Sequence, residues 1–341
     1  MIDLLQQLTE KKLKLDKLQP IKKEVIKNLE DWLRVELTYS SNAIEGNTLT
    51  RIETAEVLEK GISAIISGKA LKDQLEAVNH AKAIEFIKSL VKKRKNHTKI
   101  TESDINAIHK IILTGIDDEW AGRYRETEIF IKGTNVELPQ PVKVPYMMNE
   151  FIQWLSNQKK THPVRVAEDA HFKLVSIHPY IDGNGRTARL LMNLILIIND
   201  YPMAVIRNEE RIQYLDSLEL AQLKEDMRSY YHLIEISVDR SLDAYLNAAQ
   251  GKPTLPAFEE HPLNAITYSE LLKIGELAKE TGETIHTLRY WTKVGLLEVT
   301  KYTEGGYQLY SPSMIKRVKE IRTLQKEKRL TIEEIKQRFA N

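Results

Sequence analysis

The chain has 341 residues, long enough for two domains, and its 42% hydrophobic and 29% charged residues are the balance of an ordinary globular protein. It contains no cysteine, which excludes a disulfide framework, a thiolate metal site and a cysteine nucleophile. No apolar run reaches the ~18 residues of a membrane span, and Met1 opens into an amphipathic pattern rather than a signal peptide, so the expectation is a cytoplasmic protein without membrane contact.

In chain order, residues 2–18 set Ile2, Leu4, Leu5, Leu8, Leu13, Leu15 and Leu18 among lysines, which predicts an amphipathic helix. Pro20 opens a second helix, running to about Ile44 with Trp32, Leu33 and Leu37 on its inner face. Gly46 reads as the left-handed residue that closes it. Glu45 then sits at the negative end of the helix dipole, an unfavourable place for a carboxylate unless a cation faces it. Two further helices are expected over 50–69 and 71–95. The Gly68-Lys69 pair between them lacks the Gly-x-x-x-x-Gly-Lys-Ser/Thr spacing of a phosphate loop. Thr101 caps another helix reaching about Thr114.

Residues 120–148 change character. The β-prone runs Glu128–Ile131 and Asn135–Leu138 flank Lys132-Gly133-Thr134, predicting a short β-hairpin that must lean on the helical body or on a partner. Helices follow over 146–158 and 163–178, with His171 on the same face as His178, where a buried, hydrogen-bonded core histidine is the expected role.

The stretch His178-Pro179-Tyr180-Ile181-Asp182-Gly183-Asn184-Gly185-Arg186-Thr187-Ala188-Arg189 is the densest in chemistry. Pro179 stops one helix, and Asp182 to Gly185 form a tight turn. The apolar run from Leu190 to Ile198 demands a buried helix starting near Gly185. A glycine loop entering a helix at its N-terminus is an anion site, because free N–H groups and the helix dipole both favour negative charge. Arg186 and Arg189 share a face of the first turns, Asp182 offers a hard oxygen for Mg²⁺, and His178 offers a base. The window reads as a nucleotide-handling site. Three helical segments (about 185–199, 208–223 and 225–249) complete this body; for Tyr214, Tyr230 and Tyr231 core packing is the default expectation, with the flank of an adenine pocket as the alternative.

Residues 251–266, with Gly251, Pro253, Pro256 and Pro262, read as a linker. From Thr267 to Asn341 there are 14 Lys/Arg against 10 Asp/Glu, a modest basic surplus that permits nucleic acid without demanding it. Here Ile274–Ala278 begins a short helix, Thr281–Thr284 turns, and Ile285–Lys293 gives a second helix, the pattern of a helix-turn-helix. Glu304–Tyr310 reads as a small wing with a glycine tip, and helical segments over 313–329 and 331–339 close the chain.

The window 178–189 resembles the signature of the Fic family, His-x-Phe-x-Asp/Glu-Gly-Asn-Gly-Arg-x-x-Arg, matched everywhere except at Tyr180, whose hydroxyl then needs a buried partner or a wet edge. The stretch Ser41-x-x-x-Glu45-Gly46 is similar to the inhibitory motif of that family. The resemblance implies a mainly α Fic domain over residues 1–250 with a short β-hairpin flap, and transfer of AMP from ATP to a hydroxyl of a protein, with the chain itself one candidate target. By that resemblance His178 takes the hydroxyl proton at a pKa near neutrality, and Asp182 holds Mg²⁺. Backbone amides of Gly183, Asn184 and Gly185, with the Asn184 side chain, cradle the α- and β-phosphates. Arg186 neutralises the leaving pyrophosphate, and Arg189 binds the γ-phosphate when Glu45 releases it. The flap residues Ile129, Phe130 and Ile131 dock an extended segment of the target by strand addition.

Residues 267–341 resemble the winged helix-turn-helix module of MerR-type regulators, including Leu288-Arg289-Tyr290-Trp291. The resemblance implies DNA as a partner, with Arg289, Tyr290 and Tyr307 on phosphates and Thr284, His286 and Thr287 near base edges. Gln308 stands where an arginine is usual. The long dimerisation helix of those regulators does not follow, so any homodimer contact is expected in the Fic body. Two other readings stay open from sequence: a DNA-binding regulator whose Fic domain senses ATP or modifies itself, and an enzyme in which Glu45 positions a water that removes AMP.

Overall fold

The computed structural model describes residues 4–63, 66–131, 134–252, 271–299, 301–302, 308–327 and 330–340. It divides into two compact units, Met1–Pro256 and Ala257–Asn341. The linker reading falls mainly on residues 253–270, and the wing tip with Tyr307 on 303–307, both outside the described residues.

The first unit is helical. Its elements are α1 (Leu4–Lys17), α2 (Lys23–Ile44), α3 (Arg51–Lys60), α4 (Leu71–Arg94), α5 (Glu102–Leu113), α6 (Val144–Asn157), α7 (Pro163–Ile177), α8 (Asn184–Ile198), α9 (Arg211–Lys224) and α10 (Arg228–Ala249). Helix α8 is the axis of this unit. It packs on α7, α4, α5 and α2, and residues 184–198 are buried except Gly185 and Ile197. A helix apolar on every side is stable only when neighbours cover every side. Helix α1 closes the far side by lying on α10. Start signals are in place: Thr50 with Glu53 and Thr101 with Asp104 each form a reciprocal capping box at the head of α3 and α5. The helix expected over 50–69 ends earlier, at Lys60, because Gly61 turns left-handed (φ 68°).

The segment read as a β-hairpin is corrected. Neither Glu128–Ile131 nor Thr134–Leu138 forms a strand ladder among the described residues. The chain is extended there, and exposed and half-buried residues alternate as in a strand. The contacts at its ends are made by side chains: Arg125 reaches the carbonyls of Thr127 and Pro139, and the Thr134 hydroxyl donates to Glu219 at 2.7 Å. Phe130 stands 89% exposed.

The second unit holds β1 (Leu272–Lys273), α11 (Ile274–Thr281), α12 (Ile285–Lys293), β2 (Lys301–Tyr302), β3 (Gln308–Tyr310), α13 (Ser313–Glu327) and α14 (Ile332–Ala340). Its strands form an antiparallel sheet in the order β1-β3-β2, with Leu272 opposite Tyr310 and Lys301 opposite Leu309. Leu277, Leu288, Trp291, Leu296, Tyr310 and Ile321 are buried together as its own core. The helix-turn-helix expected from sequence is present, and of the expected wing only the strand pair Lys301–Tyr302 with Gln308–Tyr310 falls among the described residues.

Leu194 is fully buried at the centre of α8. Leu194→Ala is expected to destabilise the first unit by about 2–5 kcal/mol, read as a lowered denaturant midpoint of its unfolding transition.

Candidate active site

The site is assembled at the turn between α7 and α8. His178 ends α7 in the left-handed region (φ 50°, ψ 59°), its N–H returning to Leu174 O at 3.0 Å. A non-glycine residue held there stores strain and persists only where its surroundings insist. They do: the Nδ1 of His178 donates to Val175 O at 3.2 Å, and the His178 carbonyl accepts from Arg125 Nε at 2.8 Å. With Nδ1 carrying the proton, Nε2 presents a lone pair and meets no hydrogen-bond partner among the described residues. Burial, opposed only in part by the Val175 carbonyl, lowers the His178 pKa to about 4. The expectation of a pKa near neutrality is therefore corrected: the imidazole is a neutral, rather weak base throughout the physiological range.

Below His178 the loop is fastened by its own side chains. Asn184 Oδ1 accepts from Tyr180 N at 3.0 Å while its Nδ2 donates to Tyr180 O at 2.8 Å. The Asn184 side-chain amide thus helps to close the turn, and its second Nδ2 hydrogen is not engaged by these two bonds. Tyr180 is fully buried, and its hydroxyl donates to Asn106 Oδ1 at 2.7 Å, the partner that its departure from phenylalanine required. Its ring stacks on His109 at 3.6 Å. His109 in turn donates from Nε2 to Asp182 O and accepts from Gly122 N at Nδ1, both at 2.9 Å.

Gly183 caps α8 with φ 76°, and its own N–H is taken by Asp182 Oδ1 at 2.6 Å. The first-turn N–H groups of Asn184, Gly185 and Arg186 remain without partners inside the helix, as at any helix start. The Asp182 side chain is half-exposed. Burial works against its charge, but Arg186 and the Gly183 N–H outweigh it and hold the carboxyl below its ordinary value. Arg186 is only 2% exposed, and its guanidinium lies 2.9 Å from Glu76 and 3.3 Å from Asp182. Instead of standing open to a ligand, it braces Asp182 from behind.

Arg189, one turn further on and 5% exposed, gathers partners from two other helices. Nε donates to Ser41 Oγ at 3.0 Å, and Nη2 donates to Ser41 O at 2.8 Å and to Glu45 Oε1 at 2.7 Å. Nη1 reaches the Tyr214 hydroxyl at 3.4 Å. Behind it runs a buried relay. Tyr214 OH meets His171 Nε2 at 2.9 Å, His171 Nδ1 meets Tyr230 OH at 2.8 Å, and Tyr230 donates to Glu168 O at 2.9 Å. His171 thus has the core role expected of it. Glu45 follows α2, and Gly46 (φ 96°) closes the helix as expected. Its carboxylate lies against the bare Cα of Gly185: a Cβ built at Gly185 would stand 2.2 Å from Glu45 Oε1. The cation that the end-of-helix carboxylate needed is Arg189.

Sequence reasoning did not find Arg125, Glu76, His109 or Asn106. Each is an ordinary residue type far from the loop in sequence, with no motif of its own. In the second unit, Thr284 caps α12 by accepting from Thr287 N at 3.1 Å, while His286, Arg289 and Tyr290 are exposed on the same helix. Gln308 is turned inward, accepting from Tyr310 OH at 2.8 Å.

A base, a glycine turn and two arginines on the first turns of a buried helix are the residues that carry the resemblance to the Fic/DOC family. Residues 99–196 match the Fic/DOC family and residues 272–341 the MerR HTH family regulatory protein, so the chain carries a Fic/DOC domain followed by a MerR-type helix-turn-helix region. The protein adenylyltransferase Fic of Drosophila grimshawi is 38% identical over 218 residues, covering 63% of this chain and 43% of that protein. That of Nematostella vectensis is 37% identical over 211 residues, covering 61% and 48%. The chain spans about half the length of the curated relatives it matches. Among solved structures, a Fic domain containing signaling protein from Bacteroides thetaiotaomicron matches with a TM-score of 0.64 at 29% identity, covering 74% of this chain and 98% of that one. Fic-1 (residues 134–508) from C. elegans matches with a TM-score of 0.63 at 29% identity, covering 73% and 72%.

His80, His109 and His171 are all buried, and burial lowers their pKa values to about 3, 4 and 3. Unfolding returns each toward the ordinary ~6.5, so the unfolded chain binds more protons below that pH. Stability conferred by the neutral rings is complete above pH ~6.5 and lost as the pH falls toward 4. Each contributes a slope of up to ~1.4 kcal/mol per pH unit. The denaturant midpoint of the first unit should fall steeply between pH 6.5 and 5, and a flat profile would contradict the burial of these rings.

Proposed function

We propose that this chain is a protein adenylyltransferase, with residues 1–250 as its catalytic Fic domain, a linker over 251–266 and a DNA-binding module over 267–341. The observation that carries the reading is the arrangement of a neutral base, an ionised carboxylate and orphan helix N–H groups around one loop. The substrate is ATP. In the reaction a protein hydroxyl oxygen forms a bond to the α-phosphorus, the bond from that phosphorus to the oxygen bridging to the β-phosphorus breaks, and pyrophosphate leaves. His178 Nε2 takes the hydroxyl proton. The N–H groups of Asn184, Gly185 and Arg186 bind the phosphates at the positive end of α8. Arg189 binds the γ-phosphate, which aligns the leaving group for in-line attack.

Mg²⁺ fits this site as a companion of the nucleotide. Among the described residues no group of three or more His, Cys, Asp or Glu side chains stands ready to cage a metal. Asp182 supplies one ionised, half-exposed carboxylate, and Mg²⁺ is ordinarily held by one or two carboxylates with substrate phosphates. The ion would neutralise charge on the polyphosphate.

Glu45 is the inhibitory residue in this reading. While it holds Arg189 and fills the space over Gly185, the γ-phosphate has neither its cation nor its room. After incubation with ATP and Mg²⁺, Glu45→Gly should incorporate AMP, into itself or an added protein, at least about tenfold faster than the natural chain. Adding His178→Ala should reduce that rate by about 100-fold or more. Intact mass reads both, and a Glu45→Gly protein that binds ATP but never gains AMP with any added protein would sink the transferase reading. Release of AMP from a modified protein, abolished by Glu45→Gly, would favour the reverse reaction instead.

A second partner is favoured by the exposed face of α12, where His286, Arg289 and Tyr290 project from a helix-turn-helix with a basic surplus. We infer that this face binds duplex DNA. Arg289→Ala should weaken binding across all sequences and flatten the salt dependence by about one unit of slope, measured by fluorescence anisotropy from low to moderate salt. Salt-independent binding, or none, would leave the module to protein contacts.

A further inference from the structure

Arg125 is an oddity of the fold. It is 2% exposed, yet the hydrogen bonds of its guanidinium run to backbone carbonyls rather than to a carboxylate. Nε donates to His178 O at 2.8 Å, Nη1 to Thr127 O at 3.3 Å and Nη2 to Pro139 O, while its own N–H donates to Pro179 O at 2.9 Å. Burying a guanidinium in this way is expensive, since carbonyl dipoles compensate a charge less well than a carboxylate does. The two peptide carbonyls of His178 and Pro179 belong to the turn that carries the base. Those of Thr127 and Pro139 flank the 128–138 stretch, in which Phe130 is exposed.

We propose that Arg125 is a positioning residue for the transfer reaction: its planar fork locks His178 in the left-handed backbone conformation and ties that turn to both ends of the 127–139 segment. The inference rests on the transferase reading of the site. Arg125 never reaches the phosphates or the target; it acts through His178. Left to itself, a histidine at φ 50° relaxes to an ordinary helical or extended backbone. Relaxation swings the ring away from Val175 O, so Nδ1 loses its acceptor and the tautomer that leaves Nε2 free is no longer enforced. A planar fork serves here because its donors meet carbonyls on two separate segments at once, which a lysine ammonium on a single flexible stem does not match.

The test uses the full chain in a Glu45→Gly background, comparing Arg125→Lys and Arg125→Met with the parent. Three readouts are taken: the rate of AMP incorporation at saturating ATP, the Kd for ATP by calorimetry, and the His178 tautomer by ¹⁵N NMR, assigned with His178→Ala. The expected result is a rate about 100-fold lower in both variants, a Kd for ATP within threefold of the parent, and a His178 signal shifted from the pure Nδ1–H form to a mixture. If ATP binding and rate fall together along with thermal stability, Arg125 is a general brace and the proposal is wrong. It is equally overturned if the rate and the tautomer are unchanged. Should the Glu45→Gly parent incorporate no AMP, the transferase reading fails by itself, and the His178 tautomer still decides whether Arg125 positions that ring.

Discussion

A buried guanidinium must find every partner inside the protein, and the first unit is built around how Arg189 does so. Ser41 gives it a hydroxyl and a carbonyl, Glu45 a carboxylate and Tyr214 a phenol, drawing α2 and α9 onto α8. Removing one partner of such a pair leaves an uncompensated charge, which costs far more than the pair itself contributes. Arg189 keeps Ser41 and Tyr214 when Glu45 leaves, but its charge is then compensated best by another anion. In the proposed reaction that anion is the terminal phosphate of ATP, so the pairing that closes the site also specifies what reopens it.

Gly185 makes the exchange a matter of geometry as well as charge. Glu45 occupies the space that any side chain at Gly185 would fill, at the end of α8 where the dipole favours negative charge. In the proposed reaction carboxylate and phosphate compete for one cation and one patch of bare backbone. An internal ligand that excludes another weakens it by the fraction of time the site is left open, and the effect is reciprocal. In this proposal whatever loosens the end of α2 strengthens nucleotide binding, and bound nucleotide loosens the end of α2. Arg211, which donates to the Ile44 carbonyl at 2.7 Å, is one of the contacts that such a change has to break or carry along.

Much of this was legible in the sequence, for a definite reason. The window from His178 to Arg189 is local: helix stop, turn and helix start are neighbours in the chain, so spacing alone brings the base, the glycines and both arginines together. Glu45 was legible at one remove, as a carboxylate at the wrong end of a helix whose missing cation had to be found. The loop's supports were not legible. Glu76 behind Arg186, His109 and Asn106 around Tyr180, and Arg125 across His178 are placed by tertiary packing, and nothing in their own neighbourhoods marks them. The extended segment was misread for a related reason. Alternation of apolar and polar residues predicts a strand but cannot say whether two runs pair, and among the described residues these two do not.

The pKa of His178 sets what the rest of the site has to supply. A base depressed to about 4 is always in the right form at neutral pH but accepts a proton with little driving force. In the proposed reaction that weakness is tolerable, because phosphoryl transfer runs through a loose transition state in which the nucleophile keeps its proton until late. The burden moves from basicity to placement: the lone pair of Nε2 must lie where the hydroxyl arrives, and the α-phosphorus must stand in line with it. Placement of the ring rests on a strained backbone that Leu174, Val175 and Arg125 together enforce, and placement of the phosphorus rests on Arg189. The proposed reaction thus divides its work between two buried arginines, one fixing the base and the other, once Glu45 gives way, the nucleotide.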